Sequence, residues 1–164
     1  TTKSRPDVWS EVDAESARIG AVQGGYRVPM PAIARWSLVA LDARDDLGLA
    51  RFYSQITGWP IRNEASLPPD DDWIELVGPG GATLAFQLAH DHEPPTWPSA
   101  EHPQQLHLDF DVPDLDEGER AVLAIGARKA DVQPGTSFRV FLDPAGHPFC
   151  LVLDRQLDLA RLDT

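Results

Sequence analysis

The sequence spells one order of elements twice: a strand, a helix and then three strands. Matching Asp45 with Asp114 lays LVALDARD over HLDFDVPD and sets Leu38 against His107. Gly58 then follows Asp45 by 13 residues, and Gly126 follows Asp114 by 12. Further on, AFQLA lies over PFCLV when Phe86 is set against Phe149, which pairs Gln87 with Cys150. A βαβββ unit this small leaves one sheet face that it cannot bury alone. Two of them, each covering its sheet with its own helix, can pair around a cleft.

Local patterning supports each element. IARWSLVALD (33–42) is apolar and partly β-branched, which predicts a buried strand, and Asp45 or Asp46 caps the helix after it. In LGLARFYSQIT, Leu49, Phe52, Tyr53 and Ile56 recur at spacings of three and four, one apolar face ending at Gly58. Short strands are predicted around 59–62, 73–77 and 82–89, the last two joined by a turn at GPGG. In the second unit QLHLDFDV alternates strictly. Leu106, Leu108, Phe110 and Val112 share one face, His107, Asp109 and Asp111 the other. Asp114 and Glu117 cap the next helix, and strands at 128–132, 138–142 and 149–153 complete the unit, with a turn at DPAG.

The segment between the units, HDHEPPTWPSAEHPQ at 90–104, holds four prolines and reads as a linker. The chain is thus parsed as an N-terminal extension at 1–29 and a domain at 30–164. Within the domain, module 1 covers about 33–89, module 2 about 105–154, and a tail 155–164. Val8, Trp9, Val12 and Ile19 predict one short helix in the extension, which Gly24 and Gly25 break.

At 164 residues, one domain is the default expectation. A net charge of −12 repels phosphate backbones and anionic lipid, so nucleic acid and membrane surfaces are not expected partners, and a small organic molecule or another protein fits better. The single cysteine, Cys150, cannot form an intrachain disulfide, and no apolar run approaches the ~20 residues of a membrane helix. With no basic, apolar signal segment at the start, a cytoplasmic protein is expected.

Taken in order, LARFYSQITGWP, LAFQLA, PPTWP, HPQQLHLDFDVPDL, GARK and above all FLDPAGHPFCLVL resemble the glyoxalase-like branch of the vicinal oxygen chelate superfamily, which includes bleomycin-resistance proteins and extradiol dioxygenases. The likeness runs from about Ile33 to Leu153. It implies an α+β fold, two βαβββ modules forming an incompletely closed, eight-stranded, barrel-like cleft with the helices outside. It also implies a homodimer. Metal-using members place one ligand on the first and last strands of each module, commonly two His and two Glu. Those positions fall here on Leu38, Gln87, His107 and Cys150.

Of these only His107 is an ordinary ligand. Leucine cannot coordinate, the Gln87 amide is a weak donor, and the Cys150 thiol would first have to lose its proton. No cofactor is therefore expected. Should a divalent metal bind, His107, Gln87 and Asp109 are its expected donors, with Asp109 on the same strand face roughly 6–7 Å beyond His107. The leading expectation is a binder of a small organic molecule in the cleft, contacting His107, Gln87, Trp36, Asp109, Cys150 and Leu38. The alternative is a metal-dependent lyase, isomerase or dioxygenase. Trp36, Trp59, Trp73 and Trp97 are candidates to stack a flat ligand or to fill the core. His90 and His92 have an HxH spacing but run into the proline-rich linker, so they are expected to be solvated, as are His102 and His147.

Overall fold

The computed structural model of the chain describes residues 33–157. The chain divides into two units, 1–36 and 37–164. Of the first, the structure describes only 33–36, where Ile33 and Trp36 are exposed. The short helix expected within 1–29 lies outside the described residues. All that follows concerns the second unit.

Its elements are β1 (Val39–Ala43), α1 (Asp46–Thr57), β2 (Trp73–Val77), β3 (Thr83–Leu88), β4 (Leu108–Val112), α2 (Leu115–Ala124), β5 (Arg128–Lys129), β6 (Phe138–Leu142) and β7 (Pro148–Leu153). They build two mixed sheets, ordered β1-β3-β2 and β4-β7-β6-β5. In each sheet the first strand pairs parallel with the last, β1 with β3 and β4 with β7. The repeat is therefore real in the topology.

The expected eight-stranded barrel-like cleft needs correction: the described residues form seven strands in two open sheets, with no closed barrel. The missing strand is the one expected around 59–62, which contracts to a single bridge, Ile61 to Leu76. Pro60 has no N–H to give to a ladder, and Asn63 at φ 55 turns the chain into a short 3-10 turn at Glu64–Ser66. The strand expected at 128–132 also shortens, to Arg128–Lys129. Beyond it the Gln133 amide takes over the pairing, accepting from Val140 N–H and donating to the carbonyls of Val140 and Ala130.

Both helices begin as the sequence predicts. Asp45 accepts from Gly48 N–H, and Asp114 from the N–H groups of Asp116 and Glu117. Gly58 ends α1 with φ 72, a left-handed cap that glycine adopts without strain. Leu49, Ala50, Phe52 and Tyr53 form the buried face of α1. On α2, Leu115 and Val122 are buried, and Gly118 lets the helix sit close to β7: a Cβ there would lie 3.0 Å from Leu151 Cδ1. Arg139 on β6 ties the same helix down through Glu119, Asp116 and the Leu115 carbonyl.

One core joins the two halves. The Tyr53 ring stacks on Phe86 of β3 at 5.6 Å and lies 5.9 Å from Phe110 of β4 and 6.3 Å from Phe149 of β7. Phe52 meets Phe149 edge-on at 5.9 Å. The helix of the first module thus packs against strands of the second, and neither sheet is a separate folding body. Because this core lies wholly in the second unit, deleting residues 1–29 should leave a soluble protein with one cooperative urea transition. Loss of that transition would place the extension within the folding unit. Among the described residues no helix is long and apolar enough to cross a membrane.

Candidate functional site

Alternation along β4 decides what the second sheet offers to its open face. Leu108, Phe110 and Val112 pack on the core, so Asp109 and Asp111 project the other way and are exposed. His107 stands just before this strand on the same side. Across the parallel ladder, Asp109 pairs with Cys150 of β7. Ligating atoms of His107, Asp109 and Cys150 all lie within 4.8 Å of one another.

The hydrogen bonds order this group. Gln104 Nε2 lies 3.4 Å from His107 Nδ1, and His107 Nε2 lies 3.4 Å from Asp109 Oδ1. An imidazole accepting from the amide at Nδ1 and carrying its proton on Nε2 satisfies both contacts. Cys150 donates to Asp109. Burial, then that hydrogen bond and the Asp109 charge, push its thiol up to about 11. At neutral pH Cys150 is therefore a thiol, with no free thiolate to act as nucleophile.

A cavity of about 200 Å³ adjoins them. Trp97, Phe138, Val140 and Pro148 give it apolar walls, while Gln104, His107 and Cys150 supply polar groups. Gln104 Oε1 is buried without a hydrogen-bond partner among the described residues. Buried carbonyl oxygens are ordinarily paired, and this one is an exception.

The other expected residues fall elsewhere. Gln87 is exposed on β3 of the first sheet, opposite Asp42 of β1 and Trp73 of β2, and it does not line this cavity. Leu38 lies just before β1, and Trp36 is exposed in the first unit. The strand ladders also correct the internal alignment. Asp42 pairs with Gln87 as Asp109 pairs with Cys150, so if Gln87 corresponds to Cys150, then Ala40, and not Leu38, corresponds to His107. Neither residue could ligate a metal. The four-position set implied by the family thus does not fit this chain, whereas the His107, Asp109 and Cys150 trio is a different set held by one module.

A second polar cluster was not expected. Asp143, fully buried, accepts from Tyr53 OH at 2.8 Å, from His147 Nδ1 at 3.0 Å and from the backbone N–H groups of Ala145 and His147. Burial foremost, with the charge of Asp143 and the hydrogen bond to it, pushes the Tyr53 hydroxyl well above its ordinary value, so it stays a donor. The His92 ring lies beside that of His147, their centroids 4.8 Å apart, and its Nε2 is 3.1 Å from the Ala145 carbonyl. Trp97, one of four tryptophans expected to stack a ligand or fill the core, lines the cavity, whereas Gln104 was legible only as a linker residue. The pairing of Tyr53 with Asp143 joins positions 90 residues apart, beyond the reach of any local pattern.

A family model described as the glyoxalase-like domain matches residues 38–152. No curated protein matches the chain. Among solved structures, the chain is similar to a glyoxalase/bleomycin resistance protein/dioxygenase family enzyme from Burkholderia phytofirmans PsJN, with 22% identity, a TM-score of 0.52, and 70% of this chain and 94% of that one covered. It is also similar to the fosfomycin resistance protein FosX from Mesorhizobium loti, with 16% identity, a TM-score of 0.55, and 81% and 100% covered. A glyoxalase/dioxygenase from Nostoc punctiforme, at 22% identity and a TM-score of 0.50, covers 80% of this chain. At these identities the likenesses support the fold alone.

Proposed function

The chain belongs to the glyoxalase-like domain family, and on that premise we propose that it binds a small organic molecule on the open face of its second sheet, without the four-ligand metal set of its relatives. The observation that carries this reading is the cavity beside Cys150: mostly apolar walls, with His107 and Gln104 among the residues that line it. Ligand pockets have this composition, and a space of about 200 Å³ suits a ring or a short branched chain. The Trp97 indole gives an apolar surface on which a flat group can lie. A polar group on the ligand would lie against the His107 imidazole at the cavity wall.

The test is a thermal-shift screen of small organic molecules on the wild-type protein, followed by calorimetry of the hits on His107→Ala and His90→Ala. His107→Ala should weaken binding by about 1–3 kcal/mol, the cost of leaving a buried hydrogen-bonding group unpaired. His90→Ala, at the exposed start of the linker, should bind as wild type. Equal loss in both variants, or in neither, would move the working site away from His107.

A second reading rests on a separate observation, the 4.8 Å cluster of ligating atoms. An imidazole nitrogen, a carboxylate oxygen and a thiolate sulfur together suit zinc or a similar borderline cation, with a position left for a substrate oxygen. A lyase, isomerase or dioxygenase could use such an ion to polarise a substrate. Elemental analysis after incubation with Mn, Fe, Ni or Zn discriminates the readings. Stoichiometric metal that Cys150→Ala and His107→Ala both abolish would favour this one.

A further inference from the structure

Asp143, His147 and His92 lie where the linker docks on the β6–β7 turn. The start of the linker is fixed there by Arg44, whose Nε donates to the His92 carbonyl at 2.9 Å. It is also fixed by the close fit of Pro94 against Gly146. Gly146 has φ 93, and a Cβ on it would come within 2.4 Å of Pro94 Cβ. The turn and the linker are thus held together by backbone geometry, and the two imidazoles are carried on a built frame.

Each ring has one nitrogen assigned by its partner. A carbonyl only accepts, so His92 Nε2, facing Ala145 O at 3.1 Å, carries the proton and leaves Nδ1 as a lone pair. His147 Nδ1 faces Asp143 Oδ2 at 3.0 Å and carries its proton, leaving Nε2 as the lone pair. A carbonyl or carboxylate behind the far nitrogen is the support that metal-binding histidines ordinarily have, since it fixes the tautomer and raises the basicity of the free nitrogen. Tyr53 and two backbone amides hold Asp143 in turn, and its side chain is fully buried.

The spacing agrees with a shared ion. Two imidazoles at about 2.0–2.1 Å from one metal, at an angle between a right angle and the tetrahedral value, place their centroids about 4.5–5.2 Å apart. The observed separation is 4.8 Å. Both rings line a space of about 470 Å³ whose wall also carries Asp42, Glu93 and Glu101, carboxylates that make it attractive to a cation.

We propose that His92 and His147 form a two-histidine site for a late first-row divalent cation, nickel, copper or zinc, with its remaining positions open to water or a small anion. Imidazole donors select these ions over magnesium or calcium. The site is independent of the His107 reading, because it shares no donor with it.

The test is calorimetric titration of untagged, full-length protein with Ni²⁺, in a His107→Ala background that removes the other cluster. One nickel per chain should bind, and adding His92→Ala or His147→Ala should each weaken it at least about ten-fold. Electron paramagnetic resonance of the wild-type protein with one equivalent of Cu²⁺ gives a second measure that does not depend on the background variant. It should show two coupled imidazole nitrogens, and only one in His92→Ala. Absence of nickel uptake in the His107→Ala background, unchanged affinity in either added variant, or a copper signal indifferent to His92→Ala overturns the proposal. A metal lost only with His107→Ala would instead belong to the second reading above.

Discussion

Phe149→Ala is expected to destabilise the protein by about 3–5 kcal/mol, the range for removing a fully buried aromatic side chain. The ring is 0% exposed and touches four aromatic partners from three elements: Phe52 and Tyr53 of α1, Phe110 of β4 and Phe141 of β6. Because α1 belongs to the first module and β7 to the second, the lost contacts couple the halves. Urea denaturation followed by tryptophan fluorescence and circular dichroism should therefore shift as one transition. For a domain whose total stability is of the order of 5–15 kcal/mol, such a loss also lowers soluble yield. Leu123→Ala on the exposed side of α2 is the comparison and should change stability by no more than about 0.5 kcal/mol. Two separate transitions in the wild type, with Phe149→Ala affecting only one, would show that the modules fold apart.

That shared core also explains what could be read in the sequence. Strong local patterns were legible: the caps at Asp45 and Asp114, the Leu49, Phe52 and Tyr53 stripe, and the alternation of Leu108, Asp109 and Phe110. Each follows from the period of its element, which the chain carries in its residue order. The same alternation puts His107, Asp109 and Asp111 on one face. What failed had non-local or backbone causes. Pro60 and Asn63 reduced a strand to a bridge, and the Gln133 side chain replaced another strand's ladder. The matches of Leu38 with His107 and of Gln87 with Cys150 differ by two residues in the ladder, because matching helix caps ignores a difference in strand pairing that side-chain period alone cannot detect.

The histidines show the opposite error. His92 and His147 looked like solvated residues because one sits in a proline-rich linker and the other in a turn. Proline and turn composition describe the local backbone, not what docks on it. The contact of Pro94 with Gly146, the Arg44 bond to the His92 carbonyl and the buried Asp143 bring the rings together, and all three depend on tertiary approach.

Cys150 should be unusually slow to alkylate at pH 8. With its thiol raised to about 11 from an ordinary value of 9.0, the thiolate fraction at that pH falls roughly 100-fold. Limited access to a buried sulfur slows the reaction further, so the pH profile, not the rate alone, is the informative measurement. Mass spectrometry of iodoacetamide labelling should give a native rate profile with its midpoint near pH 11, whereas that of the urea-unfolded chain has its midpoint near 9. Asp109→Asn removes the carboxylate whose charge and hydrogen bond hold the proton on sulfur, and should move the native profile toward lower pH. The same protons set the alkaline limit of the fold. Both Cys150 and Tyr53 keep their protons to higher pH folded than unfolded, so their contribution to stability is complete below about 9. It declines above that as the unfolded chain loses the Cys150 proton, and further above about 10, where Tyr53 does the same. A native profile with its midpoint near pH 9, or one unmoved by Asp109→Asn, would mean that Asp109 does not hold the thiol and that the trio beside the cavity is not coupled.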